Sequence, residues 1–425
     1  MESRRRIIVI GGGAAGLMAA LFSAQSGLPV TLLEKNEKLG KKIYITGKGR
    51  GNLTNTAERE MFLSRVFRNP RFMYAPLAAL DNTATMDLFG SLGLSLKVER
   101  GGRVFPESDH ASDITAALTR ALRDRRVEIR LTDAVKDIIE DPNGDCAGVE
   151  TLAGDRIEGG AVIIATGGLS YPSTGSTGDG YGFAARLGHS IRETSPGLVP
   201  LETVETWPGE LAGLSLKNVR LTAFQSHRKK ALYSEMGEML FTHSGISGPL
   251  VLTLSSLLPK DLSCISLEID LKPALDEQKL ENRLLRDLAQ APNRQLSAVM
   301  DGLVPHRLGQ RVLALARIPG SIRANSLQAP ARKQLVNVLK HVPLAISGTG
   351  GYEEAIITRG GVDVKEIDPA TMSSRKHKGF YFAGEVLDLD AATGGYNMQI
   401  AFSTGALAGR SAAEFVLGKG KAPIQ

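Results

Sequence analysis

The feature that most constrains this chain lies in its first 34 residues. A short β-branched run, Ile7-Ile8-Val9-Ile10, breaks into Gly11-x-Gly13-x-x-Gly16. An Ala/Leu-rich segment, Ala14–Ser26, follows, and a second apolar run, Pro29–Glu34, closes on an acid. This order predicts a buried parallel strand, a phosphate loop, a helix and a second strand. Gly11 permits the tight turn, Gly13 lets backbone approach a pyrophosphate, and Gly16 lets helix and strand pack closely. The helix start offers unpaired N–H groups and positive dipole character to phosphates. Glu34 is placed to accept hydrogen bonds from ribose hydroxyls. The unit therefore implies an adenine dinucleotide without separating NAD from FAD. Ala14, Ala15 and Lys35, beside the glycines and the acid, count with them as candidate contacts.

Two distant segments favour FAD. Ala161–Gly168 is an apolar strand running into Thr166-Gly167, small residues that permit close approach of a cofactor. Near the C-terminus, Gly379–Phe382 leads into Gly384-Glu385 and Asp388. Gly394-Gly395-Tyr396-Asn397-Met398-Gln399 then enters an Ala-rich helix over Ile400–Glu414. In this reading Asp388 serves ribityl hydroxyls, and Gly395, Tyr396, Asn397 and Gln399 sit near a flavin ring. An ordinary β–α turn of the same sheet is the competing reading, because fold pattern alone does not make a site.

Composition narrows the class. The chain has 425 residues, enough for two or three domains, and a net charge of +6, compatible with anionic ligands. No run of about 18 apolar residues predicts a membrane helix. Arg4-Arg5-Arg6 before an apolar run has the outline of a signal peptide, but the run stops after four residues at three glycines. A strand is the better reading, with the cytoplasm as default location. The two cysteines, Cys146 and Cys264, form no CxxC pair and read as structural thiols. No His/Cys cluster predicts a metal.

The chain resembles the two-dinucleotide-fold flavoproteins and, more closely, the BaiN/YhiN-type (aminoacetone oxidase-like) FAD-dependent oxidoreductases. The resemblance rests on Lys48–Asn55, Gly102–Pro106, Thr166–Pro172 with Thr177–Gly180, Phe241–Pro249, Thr358–Val362 and Gly384–Asp388. It departs at Gly51, where the family usually carries Cys. The resemblance implies that Lys42, Arg50 and Asn52 help hold the cofactor, and that the Val135 backbone meets the adenine. A solvated basic loop and a plain core valine are the alternatives. The glycine-rich setting of Arg50 and Asn52 suits phosphate or flavin contact.

The expected fold is α/β: a split Rossmann-type FAD domain over residues 1–195 and 345–425. Between its halves lie a β-rich insert, 196–275 with a return strand at about 341–355, and a helical insert, 276–340. The resemblance implies a β-barrel-like part and a helical part capping the flavin. Gly348–Gly351 reads as a turn, so no second nucleotide loop is visible. NAD(P)H, if used, arrives as a transient donor. His243 is a weak acid–base candidate, and a loop histidine satisfied by backbone is an equal reading. Arg283, Arg286, Arg307, Arg311, Arg317, Arg323 and Arg332 read first as solvated helix faces; a surface for NAD(P)H phosphates or RNA is the sharper alternative, but without aromatic interleaving nucleic acid is not the expected partner. The leading expectation is an FAD-dependent oxidoreductase of a small molecule, passing electrons to an activated C=C bond, another organic acceptor or O₂. The alternatives are a flavin-dependent tRNA-modifying protein and a flavin-binding module without turnover.

Overall fold

The computed structural model describes residues 5–226 and 230–418; of the basic N-terminal run, Arg4 lies outside them. The chain forms two compact units, one of residues 1–197 with 351–425 and one of residues 198–350.

The first unit is built on five parallel strands. We label them β1 (Ile7–Ile10), β2 (Val30–Glu34), β3 (Glu128–Leu131), β4 (Ala161–Ile164) and, near the C-terminus, β6 (Phe380–Phe382). Their order in the sheet is β6-β4-β1-β2-β3. All side chains of β1, β2, β4 and β6 are buried. That is why these strands read as unbroken apolar runs rather than as alternation. The helix α1 (Ala14–Ala24) leaves the sheet after β1, and α2 (Tyr396–Val416) follows β6. The two helices approach closely because α2 carries glycines toward α1. A Cβ on Gly405 would stand 2.3 Å from the Ala15 carbonyl oxygen, and one on Gly409 equally near that of Ala19. A two-stranded antiparallel ribbon pairs Ile191–Gly197 with β5 (Ile357–Val362).

The second unit is a closed six-stranded barrel, in the order Leu201–Thr203, Gly245–Ser247, Tyr233–Phe241, Ser215–Gln225, Ile265–Asp270 and Val342–Thr349. Four helices (277–290, 296–300, 306–315 and 329–340) lie between its last two strands. Leu280, Leu284 and Leu288, one turn apart, give the first of these its buried face. Gly348 and Thr349 continue the last barrel strand instead of turning. Residues 345–350 thus lie with the inserted unit, although the sequence pattern shares them with the nucleotide-binding part.

Candidate cofactor and active site

In the first unit one cleft of about 1280 Å³, solvent at its mouth included, runs along the carboxyl ends of the parallel strands. Ligands of open α/β sheets bind at this edge. Gly11, Gly13, Ala14 and Ala15 form one stretch of its wall; Glu34, Lys35 and Val135 line it as well. Thr166, Gly167, Lys42, Glu385 and Asn397 complete the expected residues that reach it.

The phosphate loop is shaped by packing at two positions and by empty space at a third. Gly11 has φ +101°, and a Cβ there would lie 2.6 Å from the Ala165 carbonyl. A Cβ on Gly16 would stand 1.8 Å from the Gly11 carbonyl oxygen, so helix and loop could not meet. Gly13 is different: a Cβ there meets nothing within 4 Å and its backbone is extended. Neither packing nor conformation demands glycine at 13, whereas a ligand lying against the loop does. Helix α1 begins at that spot with no side-chain cap and no acid in its first turn. The same holds for α2 behind Gly395, and its first-turn residues Asn397 and Met398 also line the cleft. Two uncapped helix N-termini therefore open on one cavity, an arrangement suited to phosphate and to electron-rich carbonyl edges. The Thr166 hydroxyl is buried there without a hydrogen-bond partner. These features fit a dinucleotide cofactor such as FAD.

Glu34 is already engaged: its carboxylate accepts from Gly12 N–H at 2.7 Å and from the Asn36 backbone at 2.8 Å. Lys35 donates to Thr177 Oγ1 at 2.5 Å and to Asp179 at 2.6 Å. Lys42 meets Glu385 at 2.6 Å and Ser170 Oγ at 2.5 Å. Ser170 Oγ donates to the other Glu385 oxygen at 2.5 Å, and Thr358 N–H adds 2.8 Å. Burial pushes the Glu385 carboxyl up, but Lys42, Ser170 and Thr358 together outweigh it and hold the group below the usual carboxylate range.

Other expected residues do not line the cleft. Arg50 is clamped by Glu99 and Asp109 and lies over the Phe105 ring at 4.3 Å. Its hydrogen bonds to both acids raise its pKa further. The Asn52 amide, oriented as its neighbours require, faces the Val104 and Thr54 carbonyls and the Gly395 N–H. Gly384 makes room for Ala15, whose Cβ would be 2.6 Å from a Cβ there, and Gly395 for the Thr54 carbonyl. Asp388 pairs with Arg68 at 2.8 Å and accepts from Asn69. Tyr396 is buried edge-on to Phe62. Gln399 is fully buried, tied to Thr54, Leu80, Thr85 and Ser403. Helix α2 starts at Tyr396, four residues earlier than the sequence pattern places it, which turns Gln399 into the core. His243 is exposed in the barrel unit and is not among the lining residues.

Thr46, Asp133, Gly175, Ser176, Ile357 and Leu389 also line the cleft without having been singled out. Most lie in irregular segments with no periodic pattern; the left-handed Gly175 (φ +101°) is the one with a local signal.

A family model described as "HI0933-like protein Rossmann domain" matches residues 5–411. The 3-dehydro-bile acid Δ(4,6)-reductase of Clostridium scindens is 34% identical over 414 residues, 96% of this chain and 99% of that protein. The ribosomal RNA dihydrouridine synthase of Escherichia coli is 33% identical over 404 residues, 93% of this chain and 95% of that protein. Among solved structures, a 3-ketosteroid-Δ4-(5α)-dehydrogenase from Rhodococcus jostii superposes with TM-score 0.52 at 14% identity, covering 96% of each chain. A flavocytochrome c3 fumarate reductase gives 0.50 at 16%, covering 97% of this chain and 79% of that one. At such identities the structural likeness speaks for the fold.

Proposed function

The chain belongs to the HI0933-like Rossmann-domain family and is an FAD-dependent oxidoreductase; on that premise we propose that it uses NAD(P)H to reduce a carbon–carbon double bond conjugated to a carbonyl. The observation that carries the flavin part of this reading is the cleft on which two uncapped helix N-termini and the open face of Gly13 converge. Bound FAD supplies the two-electron chemistry, and the protein supplies position and electrostatics. Gly13, Ala14 and Ala15 N–H groups hold the pyrophosphate. Glu34 exchanges its contacts for a ribose, and Val135 flanks the adenine. Thr166, Lys42 and Asn397 lie along the rest of the cofactor. Glu385, anchored by Lys42, stays anionic and holds the start of β5 through the Thr358 N–H. One relative is named a reductase and another a dihydrouridine synthase, names that both describe saturating a double bond, which supports the alkene as acceptor over O₂. The same proposal puts the enzyme in the cytoplasm; no helix among the described residues is long and apolar enough to cross a membrane.

A second reading makes the double bond that of a nucleobase within RNA. It is favoured by the rRNA dihydrouridine synthase relative. Of the insert arginines, Arg283, Arg311 and Arg332 pair with carboxylates and Arg307 with the Glu210 carbonyl, while Arg286, Arg317 and Arg323 are exposed.

Anaerobic mixing with NADH or NADPH tests the donor. Bleaching of the visible flavin band is expected with at least one. A protein bleached by neither contradicts the NAD(P)H half of the proposal. RNA affinity falling about 10-fold or more between 50 and 200 mM salt favours the second reading; salt-insensitive turnover of a small enone favours the first.

A further inference from the structure

Among the described residues, few buried side-chain atoms lack a hydrogen-bond partner, and three of them belong to one cluster: Arg359 Nε and both carboxylate oxygens of Asp390. Native structures seldom leave such groups unmatched without a functional reason. Asp390 is 1% exposed and follows Leu389, a residue of the cleft wall. Arg359 stands two residues after Ile357 on β5. Alternation along a strand puts the two side chains on one face, and Ile357 lines the cleft. Gly197, opposite Ile357 in the ribbon, makes room for Arg359: a Cβ on it would lie 2.7 Å from Arg359 Cγ. Arg68 Nε is 3.4 Å from Asp390 without hydrogen-bond geometry, and Arg68 also holds Asp388 at 2.8 Å.

Two carboxyls beside this cleft, Glu385 and Asp390, are thus built oppositely. Glu385 is locked by hydrogen bonds to Lys42, Ser170 and Thr358. The Asp390 carboxyl makes no side-chain hydrogen bond, so either oxygen is open to a proton. The charged groups around Asp390 are Arg68, Arg359 and Asp388. With Asp390 protonated this cluster carries a net charge of +1; with it ionised, zero.

Resting on the alkene-reductase reading, we propose that Asp390, acting beside Arg359, stores the proton that each substrate reduction consumes. The reaction balances as substrate plus NAD(P)H plus H⁺ giving reduced substrate plus NAD(P)⁺. The hydride equivalent adds to one carbon of the double bond, and the π electron pair moves onto the conjugated carbonyl. Asp390 then releases its proton to that enolate, which leaves its carboxylate between two guanidinium groups. The emptied carboxylate takes its next proton from bulk water before the following turnover, and until then Arg68 and Arg359 balance its charge. Burial pushes the Asp390 carboxyl up to about 6 against the pull of Arg68 and Arg359. Carboxyl pairs whose surroundings drive their pKa values apart mark acid and anion roles.

The test uses holoenzyme reduced anaerobically with dithionite and mixed with cyclohex-2-enone. Wild-type reoxidation is expected to slow as pH rises through about 6. In Asp390→Asn, reoxidation is expected to be about 100-fold slower, with that limb gone and with full FAD stoichiometry as the sign of an intact fold. Infrared difference spectra of the substrate-free holoenzyme provide a second readout. A protonated-carboxyl band should vanish in wild type between pH 5 and 7 and be missing from Asp390→Asn. Wild-type enzyme that the enone cannot reoxidise contradicts the alkene reading of the preceding section. A variant reoxidised at the wild-type rate, or a wild type without the band, overturns the proton store.

Discussion

Lys42 and Glu385 show how single residues far apart in sequence make a site. Each is about a fifth exposed, and each is the other's only charged hydrogen-bond partner among the contacts described here. Replacing Glu385 by Gln strands a partly buried ammonium, for which a cost of about 2–4 kcal/mol is expected. Chemical denaturation of the holoenzyme measures it, and adding Lys42→Met should recover most of the loss. The pH dependence has a defined sign. Glu385 is lowered in the fold, so its contribution is complete above the unfolded carboxylate pKa and is lost as pH falls through the folded value. Asp390 is raised to about 6, so its contribution runs the other way: stability is greatest in acid and declines as pH rises from about 4 to about 6. Asp390→Asn is therefore expected to stabilise the protein relative to wild type by about 2 kcal/mol more at pH 8 than at pH 4. An equal effect at both pH values contradicts an elevated carboxyl.

At the scale of elements, the approach of α1 to α2 sets the width of the cofactor cleft, because both helix N-termini open on it. Gly405 and Gly409, one turn apart, let backbone meet backbone. Gly409→Ala places a methyl 2.3 Å from the Ala19 carbonyl oxygen, and overpacking of this kind costs about 1–3 kcal/mol. Thermal unfolding should show the loss, and flavin release should accelerate with it as the helix ends move. The phosphate-loop unit was legible in sequence because all its determinants are local: a β-branched run, three glycines at fixed spacing, an Ala-rich helix and a closing acid. The start of α2 was not. Tyr396-Asn397-Met398-Gln399 reads as polar loop until Gln399 finds Thr54, Leu80 and Thr85, partners more than 300 residues away. Arg50 likewise reads as a phosphate ligand, and only the fold brings Glu99 and Asp109 to it. The family resemblance implied a β-barrel-like part, as found; the residue pattern by itself shows only strands, since closure joins Leu201–Thr203 to Val342–Thr349 across the whole insert.

Across the whole chain, the first strand of the sheet and the last in sequence lie two places apart, with β4 between them. The first unit is thus finished only when the C-terminal residues arrive, and its cleft draws on residues from Ile10 to Ala401. Truncation before β6 is expected to abolish flavin binding altogether, because it removes one strand and one of the two helix N-termini; a truncated protein that stays yellow contradicts the two-ended site. The claim on which the rest depends is that FAD lies along the open face of Gly13. The most direct measurement is bound flavin per chain, by visible absorbance after FAD titration, for wild type and Gly13→Val. A Cβ at 13 meets no protein atom within 4 Å, so the variant should fold with unchanged circular dichroism. Wild type should take up about one FAD per chain, and Gly13→Val should bind it at least about 10-fold more weakly, a loss of about 1.4 kcal/mol or more. A folded Gly13→Val protein that binds FAD as tightly as wild type contradicts the account.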